Sequence, residues 1–192
     1  MTYNRKNNQI VSSLKYSFVF IVIFWIVEVI QILGFDFADY GILPRQTIGL
    51  TGIITSPFIH GDLQHLIANT IPFFVLSFLL FLFYKRRAGV FLVLIWLTTG
   101  ILTWIIGRTA WHIGASGVIY GLASFLVFGG ILSRNWKLIF VSILVLILYS
   151  SLVWGIFPGD ARISWEGHLS GAISGLIWAV IYKKILRSPE YK

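Results

Sequence analysis

Apolar residues in this chain run on without the regular polar interruptions of a soluble helix. Six stretches stand out: Tyr16 to Leu33, His65 to Phe83, Ala88 to Ile106, Ala115 to Leu132, Trp136 to Val153 and His168 to Ile185. Each is long enough to cross a bilayer as a helix. The runs are continuous rather than alternating, which favours helices over the strands of a membrane barrel. The first run is too long for the apolar core of a signal peptide and no small-x-small cleavage site follows it, so it reads as a retained span. Four connections are short. The fifth, residues 34–64, carries Pro44, Pro57 and a moderately apolar stretch from Ile48 to Ile59. That stretch is too short and too broken by Gly and Pro to span, so it is expected to lie in the outer interface or to dip part-way into the membrane. A loop of that length in a compact domain is usually functional. The pattern predicts an all-α membrane protein, a bundle of six transmembrane helices in one domain over residues 1–192, with no internal repeat and no linker.

Composition agrees with lipid as the solvent. Of the 192 residues 57% are apolar and 11% charged, against about 25% charged in a typical soluble domain; the mean hydropathy is +0.85. A disordered chain and a soluble globular domain are both excluded by that balance. With no Cys, disulfides, thiolate chemistry and Cys-based metal sites drop out. Neither a cofactor nor a metal is expected.

The net charge of +8 reports topology. With six spans, Arg5, Lys6, Lys15, Lys85, Arg86, Arg87, Arg134, Lys137, Lys183, Lys184, Arg187 and Lys192 all fall on one side. The other side keeps only Arg45, Arg108 and Arg162 among basic residues, and holds Asp36, Asp39, Asp62, Asp160 and Glu166. Positive charge stays cytoplasmic, so both termini are expected to face in, N-in and C-in. The basic residues are scattered over short segments without a contiguous stripe, so no nucleic-acid partner is expected.

Polar side chains inside spans are costly and usually functional. Here they are His65 and Asn69 on the second span, Ser116 and Tyr120 on the fourth, and His168 on the sixth. With the N-terminus inside, all three spans enter from the outside, and all five residues sit within the first turns below the outer surface. His65 and Asn69 are i,i+4, as are Ser116 and Tyr120, so each pair shares a helix face. Gly114, Gly117 and Gly121 flank the serine, and Gly171 and Gly175 follow His168 on its own face. Small residues at these spacings let two membrane helices approach closely. The fourth and sixth spans would then bring Ser116 Oγ within hydrogen-bond reach of the His168 ring. A serine becomes a nucleophile when an imidazole accepts its proton and later hands it to the leaving amine. The oxyanion that develops needs preorganised donors; the Ser116 backbone N–H, the Asn69 amide and a His65 ring N–H are the natural ones. No carboxylate is placed to complete a triad, so the reading is a dyad. Tyr120, one turn below the serine, could pack against the His168 ring or hydrogen-bond it.

The stretches His60-Gly-Asp-Leu-Gln-His65-Leu-Ile-Ala-Asn69, Gly114-Ala-Ser116-Gly117 with Tyr120, and Gly167-His168-Leu-Ser-Gly171 with Gly175 resemble the rhomboid intramembrane serine proteases, over essentially the whole chain and in the minimal six-span bacterial form. The resemblance implies Ser116 as nucleophile and His168 as general base, with His65, Asn69 and the Ser116 backbone N–H at the oxyanion. It matches His60 to a second family histidine near the site and Tyr120 to the residue packed on the catalytic histidine. It also implies a serine endopeptidase of the bacterial cell membrane, with its site facing the outer side. Its partners would be the bilayer and other membrane proteins cut within a transmembrane segment. One departure is plain: many members carry a Trp-Arg pair in the first long loop, and here Arg45, in Gly41-Ile-Leu-Pro-Arg45, is the only Arg of that loop.

His112 is expected to be a solvated loop residue. Glu28, in the outer half of the first span, is expected to be a structural clamp, either protonated or paired with Arg45 or with loop backbone N–H groups. Trp104, Trp111, Trp154 and Trp165 form an interfacial belt. The fifth span lacks functional polar groups, and with the support of the family resemblance it is expected to be a mobile wall against the second, through which substrate enters. Two rival classes fit the chain less well: a non-proteolytic binder of transmembrane clients with the same fold, which would not need the serine and histidine, and a transporter or channel, which would need polar residues on both leaflets.

Overall fold

The computed structural model describes residues 2–160 and 162–188, with side chains from residue 7 onward. Six long helices follow one another: α1 (Thr2–Ile32), α2 (Leu63–Tyr84), α3 (Ala88–Ile106), α4 (Ser116–Ser133), α5 (Trp136–Tyr149) and α6 (Trp165–Ile181). Among the described residues there is no strand, only one isolated antiparallel bridge between Ile42 and His112.

Local chemistry explains the boundaries. Asp62 caps α2 by accepting from the His65 backbone N–H at 2.7 Å, and Ser164 caps α6 by accepting from Gly167 N at 3.2 Å. Asn135 caps α5 by accepting from Lys137 N at 2.9 Å. Short polar side chains satisfy the free N–H groups of a first turn in this way. Lys85 (φ 49°) and Arg134 (φ 57°) leave the helical region and end α2 and α4.

Among the described residues four stretches are long and apolar enough to cross a membrane: Asn7–Ile32, Leu63–Ile106, Ser116–Ser133 and Trp136–Ile156. The second, of 44 residues, holds α2 and α3 folded back on each other. The Phe20 ring lies 5.6 Å from that of Phe73 and 6.1 Å from that of Trp96, positions that a straight helix would hold about 34 Å apart. α6 has 17 residues, just short of that length.

Several expected boundaries move. α1 starts at Thr2, far upstream of Tyr16, because the polar N-terminal residues stay helical beyond the apolar run. α5 stops at Tyr149, and Ser150–Ile156 tightens into 3-10 turns where the span was expected to run to Val153. α6 starts three residues before His168, because Ser164 provides the cap, and ends at Ile181, with a separate turn at Lys183–Leu186. Residues 34–62 are not irregular throughout: Thr47–Phe58 forms consecutive short helical turns.

α4 is the central helix, packing most extensively on α6 and then on α5, α2 and α3. Of its apolar window 56% is buried, against 17% for the stretch 136–156 and 22% for α1. The core is aromatic: Phe24 packs edge-on against Phe73, and Phe91 and Tyr84 enclose Phe125. The outward faces of α1 and α5 are apolar, with Phe18, Ile26, Ile143 and Ile147 exposed, a surface suited to hydrocarbon rather than water.

The basic segments collect at the end of the bundle away from Ser116. Arg187 Nε donates to the Leu132 carbonyl at 2.9 Å, and Gln9 Nε2 to that of Phe81 at 2.8 Å. These contacts bring the start of α1, the end of α4 and the tail of α6 beside Lys85 and Arg134. Of the residues used to read topology, Lys192 lies outside the described residues, as do the side chains of Arg5 and Lys6.

The long first loop is anchored on the end of α3. Arg45, with φ 60°, donates through Nη1 to the carbonyls of Gly107 (2.7 Å) and Ile105 (3.1 Å). Its backbone N–H donates to the Trp104 carbonyl at 3.0 Å, and the Trp104 indole donates to the Gln46 carbonyl at 3.0 Å. A guanidinium on the last carbonyls of a helix is favourable both as a hydrogen-bond donor and in the field of the macrodipole. Arg45 is therefore not the partner of Glu28, which is buried and whose Oε2 has no hydrogen-bond partner among the described residues.

Candidate active site

Ser116 is the first residue of α4. The turn before it is made by Gly114, at φ 103°, whose N–H donates to the Ser56 carbonyl at 2.9 Å. A side chain at Gly114 would be strained by that φ, and its Cβ would fall 2.6 Å from Cε1 and Nε2 of His65. The edge of the His65 ring thus lies against the backbone that leads into Ser116.

His168, one turn into α6 and 8% exposed, places Nε2 2.9 Å from Ser116 Oγ. Its Nδ1 lies 2.9 Å from the Gly155 carbonyl. A carbonyl only accepts, so this contact assigns the ring proton to Nδ1 and leaves the Nε2 lone pair facing the serine hydroxyl. The Tyr120 ring stacks on the imidazole, with centroids 4.2 Å apart and planes 7° apart.

The glycines make this approach possible. A Cβ on Gly171 would run into the Gly117 carbonyl, and one on Gly175 into that of Gly121. Ser124 Oγ donates to the Ala172 carbonyl at 2.7 Å across the same interface. Two backbones in direct contact leave no room for anything larger than glycine at these positions.

Asn69 is buried, and its amide donates to the His65 carbonyl at 2.8 Å, which uses one of its two N–H bonds. His60 is 1% exposed, its ring 5.0 Å from that of His65 and 5.6 Å from that of Phe24, and neither ring nitrogen has a well-aligned hydrogen-bond partner among the described residues. Burial pushes the His60 imidazole down to about 3, helped by the neighbouring His65, so it is neutral at physiological pH.

His112 corrects an expectation: it is buried rather than solvated. Its Nδ1 lies 2.6 Å from Ser164 Oγ and its Nε2 3.0 Å from the Arg108 carbonyl, while its backbone exchanges two 2.9 Å bonds with Ile42. Burial lowers its basicity, and the Arg108 carbonyl pulls the other way. Sequence reasoning also missed the partners that set α6 against α4. Arg108 meets the buried Glu166 at 3.0 Å and donates from Nη2 to the Ile163 carbonyl at 3.0 Å. Ser164 as a cap residue with the acidic Glu166 in the first turn is a helix-start signal that could have been read. The Gly155 carbonyl carried no such signal. A cavity of about 30 Å³ opens beside Ser116, lined among others by Ser56, Thr99, Thr103, His112 and Ser164. The buried Thr99 hydroxyl has no hydrogen-bond partner among the described residues. Among the described residues no cluster of His, Asp or Glu is arranged to hold a metal ion.

These features define an all-helical integral membrane protein with a polar site at one end of its bundle. The chain matches the rhomboid domain over residues 47–185. It is 38% identical over 184 residues to an uncharacterized protein of Mycobacterium bovis, covering 90% of this chain and 75% of that protein. An uncharacterized protein of Mycobacterium leprae is likewise 38% identical over 184 residues, covering 90% of this chain and 71% of that protein. A rhomboid protein of Acanthamoeba polyphaga mimivirus is 32% identical over 130 residues, 65% of this chain and 71% of that protein. The chain belongs to the rhomboid family, a family of intramembrane serine proteases.

Proposed function

We propose that this protein is a serine endopeptidase that cuts transmembrane segments of other membrane proteins near the outer leaflet, using Ser116 and His168 as a dyad. The observation that carries the reading is the 2.9 Å approach of His168 Nε2 to Ser116 Oγ, with Nδ1 held by the Gly155 carbonyl. In this reading α1 to α6 are six spans with both termini inside. The basic ends of the helices face the cytoplasm and the site opens outward.

Ser116 Oγ attacks the scissile carbonyl while its proton passes to His168 Nε2. The tetrahedral oxyanion is met by the Ser116 backbone N–H, free at a helix start, with the His65 ring, whose edge lies against Gly114, and the second N–H of Asn69 as the further donors. Collapse expels the amine, which takes the proton from His168 and leaves an acyl-enzyme on Ser116. Water then attacks that ester, with His168 again as base. The cavity beside Ser116, into which several hydroxyls open, has room for a water molecule.

Substrate must present an unwound segment, because an intact helix hides its carbonyls in intrahelical bonds. Entry between α2 and α5 fits the packing: α5 rests on α4, where the Ser142 hydroxyl lies 2.8 Å from the Val127 carbonyl and 3.0 Å from that of Leu126, and it barely touches α2.

The test is cleavage of a single-span substrate in lipid vesicles. Ser116→Ala and His168→Ala are each expected to abolish the product while leaving the fold intact, and a fluorophosphonate is expected to label Ser116 only when His168 is present. Retained cleavage by Ser116→Ala excludes Ser116 as nucleophile. A folded parent that neither cleaves nor takes the label points instead to a binder of transmembrane clients.

A further inference from the structure

Gln31 lies in the last turn of α1, on a helix that contributes nothing to the dyad. Its Nε2 donates to the His60 carbonyl at 2.8 Å. The other end of that same peptide unit is the Gly61 N–H, which donates to His65 Nδ1 at 3.4 Å. In a trans peptide the carbonyl and the N–H point in opposite directions, and no described peptide bond is cis. Fixing the carbonyl on Gln31 therefore aims the N–H at His65.

The imidazole of His65 has two neutral forms, and the partner of one nitrogen selects between them. An N–H arriving at Nδ1 requires a lone pair there, since two donors cannot face each other. The proton is then on Nε2, and Nε2 is on the ring edge that lies against Gly114, two residues before Ser116.

We propose that Gln31 is a positioning residue for His65: by holding the His60–Gly61 peptide it keeps the His65 proton on Nε2, where it can serve as an oxyanion donor. The catalytic consequence rests on the protease reading; the position of the proton does not.

The chain has four histidines, few enough to resolve in ¹⁵N spectra of ring-labelled protein in detergent or lipid, with His65→Gln providing the assignment. In the parent, His65 is expected to show a bare Nδ1 and a protonated Nε2. In Gln31→Met the signal is expected to move toward a mixture of the two forms, and kcat to fall about tenfold with KM unchanged, a fraction of the loss from deleting an oxyanion donor outright. Gln31→Glu, ionised, keeps the shape and removes the donor; it gives the same readout should the Met variant fail to fold. An unchanged His65 spectrum in a folded Gln31 variant overturns the proposal, even if activity falls. A parent that does not cleave at all would count against the protease reading alone, because the spectra still decide the role of Gln31.

Discussion

The Tyr120 ring lies flat on the His168 imidazole, 4.2 Å away and 7° from parallel. Together with the Gly155 carbonyl at Nδ1, it leaves the ring little freedom to tip away from Ser116. Orientation here comes from a stacked ring and one backbone carbonyl, without a carboxylate. Tyr120→Phe keeps the stack and is expected to hold kcat within about threefold of the parent. Tyr120→Ala removes it and is expected to lower kcat by roughly tenfold or more, in keeping with the rate lost when a catalytic group is misplaced. Cleavage rates in vesicles and the rate of fluorophosphonate labelling both check this.

The glycine interface between α4 and α6 should tolerate no side chain. Gly171→Val would push the Gly117 carbonyl away and separate Ser116 from His168. Overpacking of this kind costs about 1–3 kcal/mol and should abolish activity. Gly89, with open space around its Cβ position, is the control: Gly89→Ala is expected to leave stability and cleavage as they are. Unfolding titrations in mixed micelles measure both.

The Arg108–Glu166 pair ties the connection before α4 to the first turn of α6. Glu166 is 3% exposed, and its negative charge sits favourably at a helix start. Arg108→Ala leaves that carboxylate buried without its cation, and a loss of about 1–3 kcal/mol is expected. Glu166→Gln with Arg108 intact should lose less, because the amide can still accept. Thermal unfolding of the two variants tests the order.

Stability should fall as pH drops from about 6.5, the ordinary imidazole value. His60 and His112 are both held below that value by burial, so the unfolded chain takes up protons that the folded chain refuses. Their contribution is complete above pH 6.5 and is lost as pH falls toward about 3 for His60, with a slope of up to about 1.4 kcal/mol per pH unit for each histidine. Melting temperatures between pH 7 and 5 are expected to decline, and His60→Phe should flatten the decline. A flat profile in the parent would show that these rings are not buried neutral.

Much of the fold is legible in the chain because lipid allows few solutions. Apolar runs such as Ala88 to Ile106 become helices with the same bounds, since the backbone must satisfy itself within each segment. The site residues could be nominated because Ser116, Tyr120, Asn69 and two histidines are costly where they sit, and because glycines at i+3 and i+7 from His168 mark a close helix contact. Boundaries governed by capping were harder: α6 begins at Ser164's cap rather than at the first run of apolar residues, and α5 gives way to 3-10 turns.

What the chain could not reveal by itself are contacts made by atoms common to every residue. The Gly155 carbonyl on His168, the Gly107 carbonyl on Arg45 and the His60–Gly61 peptide between Gln31 and His65 are backbone groups with no sequence signature. Only the packed arrangement brings them to their partners. Likewise His112 and Glu166 look like ordinary loop and helix-end residues until the close approach of α4 and α6 removes water from both. Local pattern fixes which segments are helices and which polar residues are out of place; tertiary packing decides what those residues touch, because hydrogen-bond partners and burial depend on distances between segments that the order of residues does not contain.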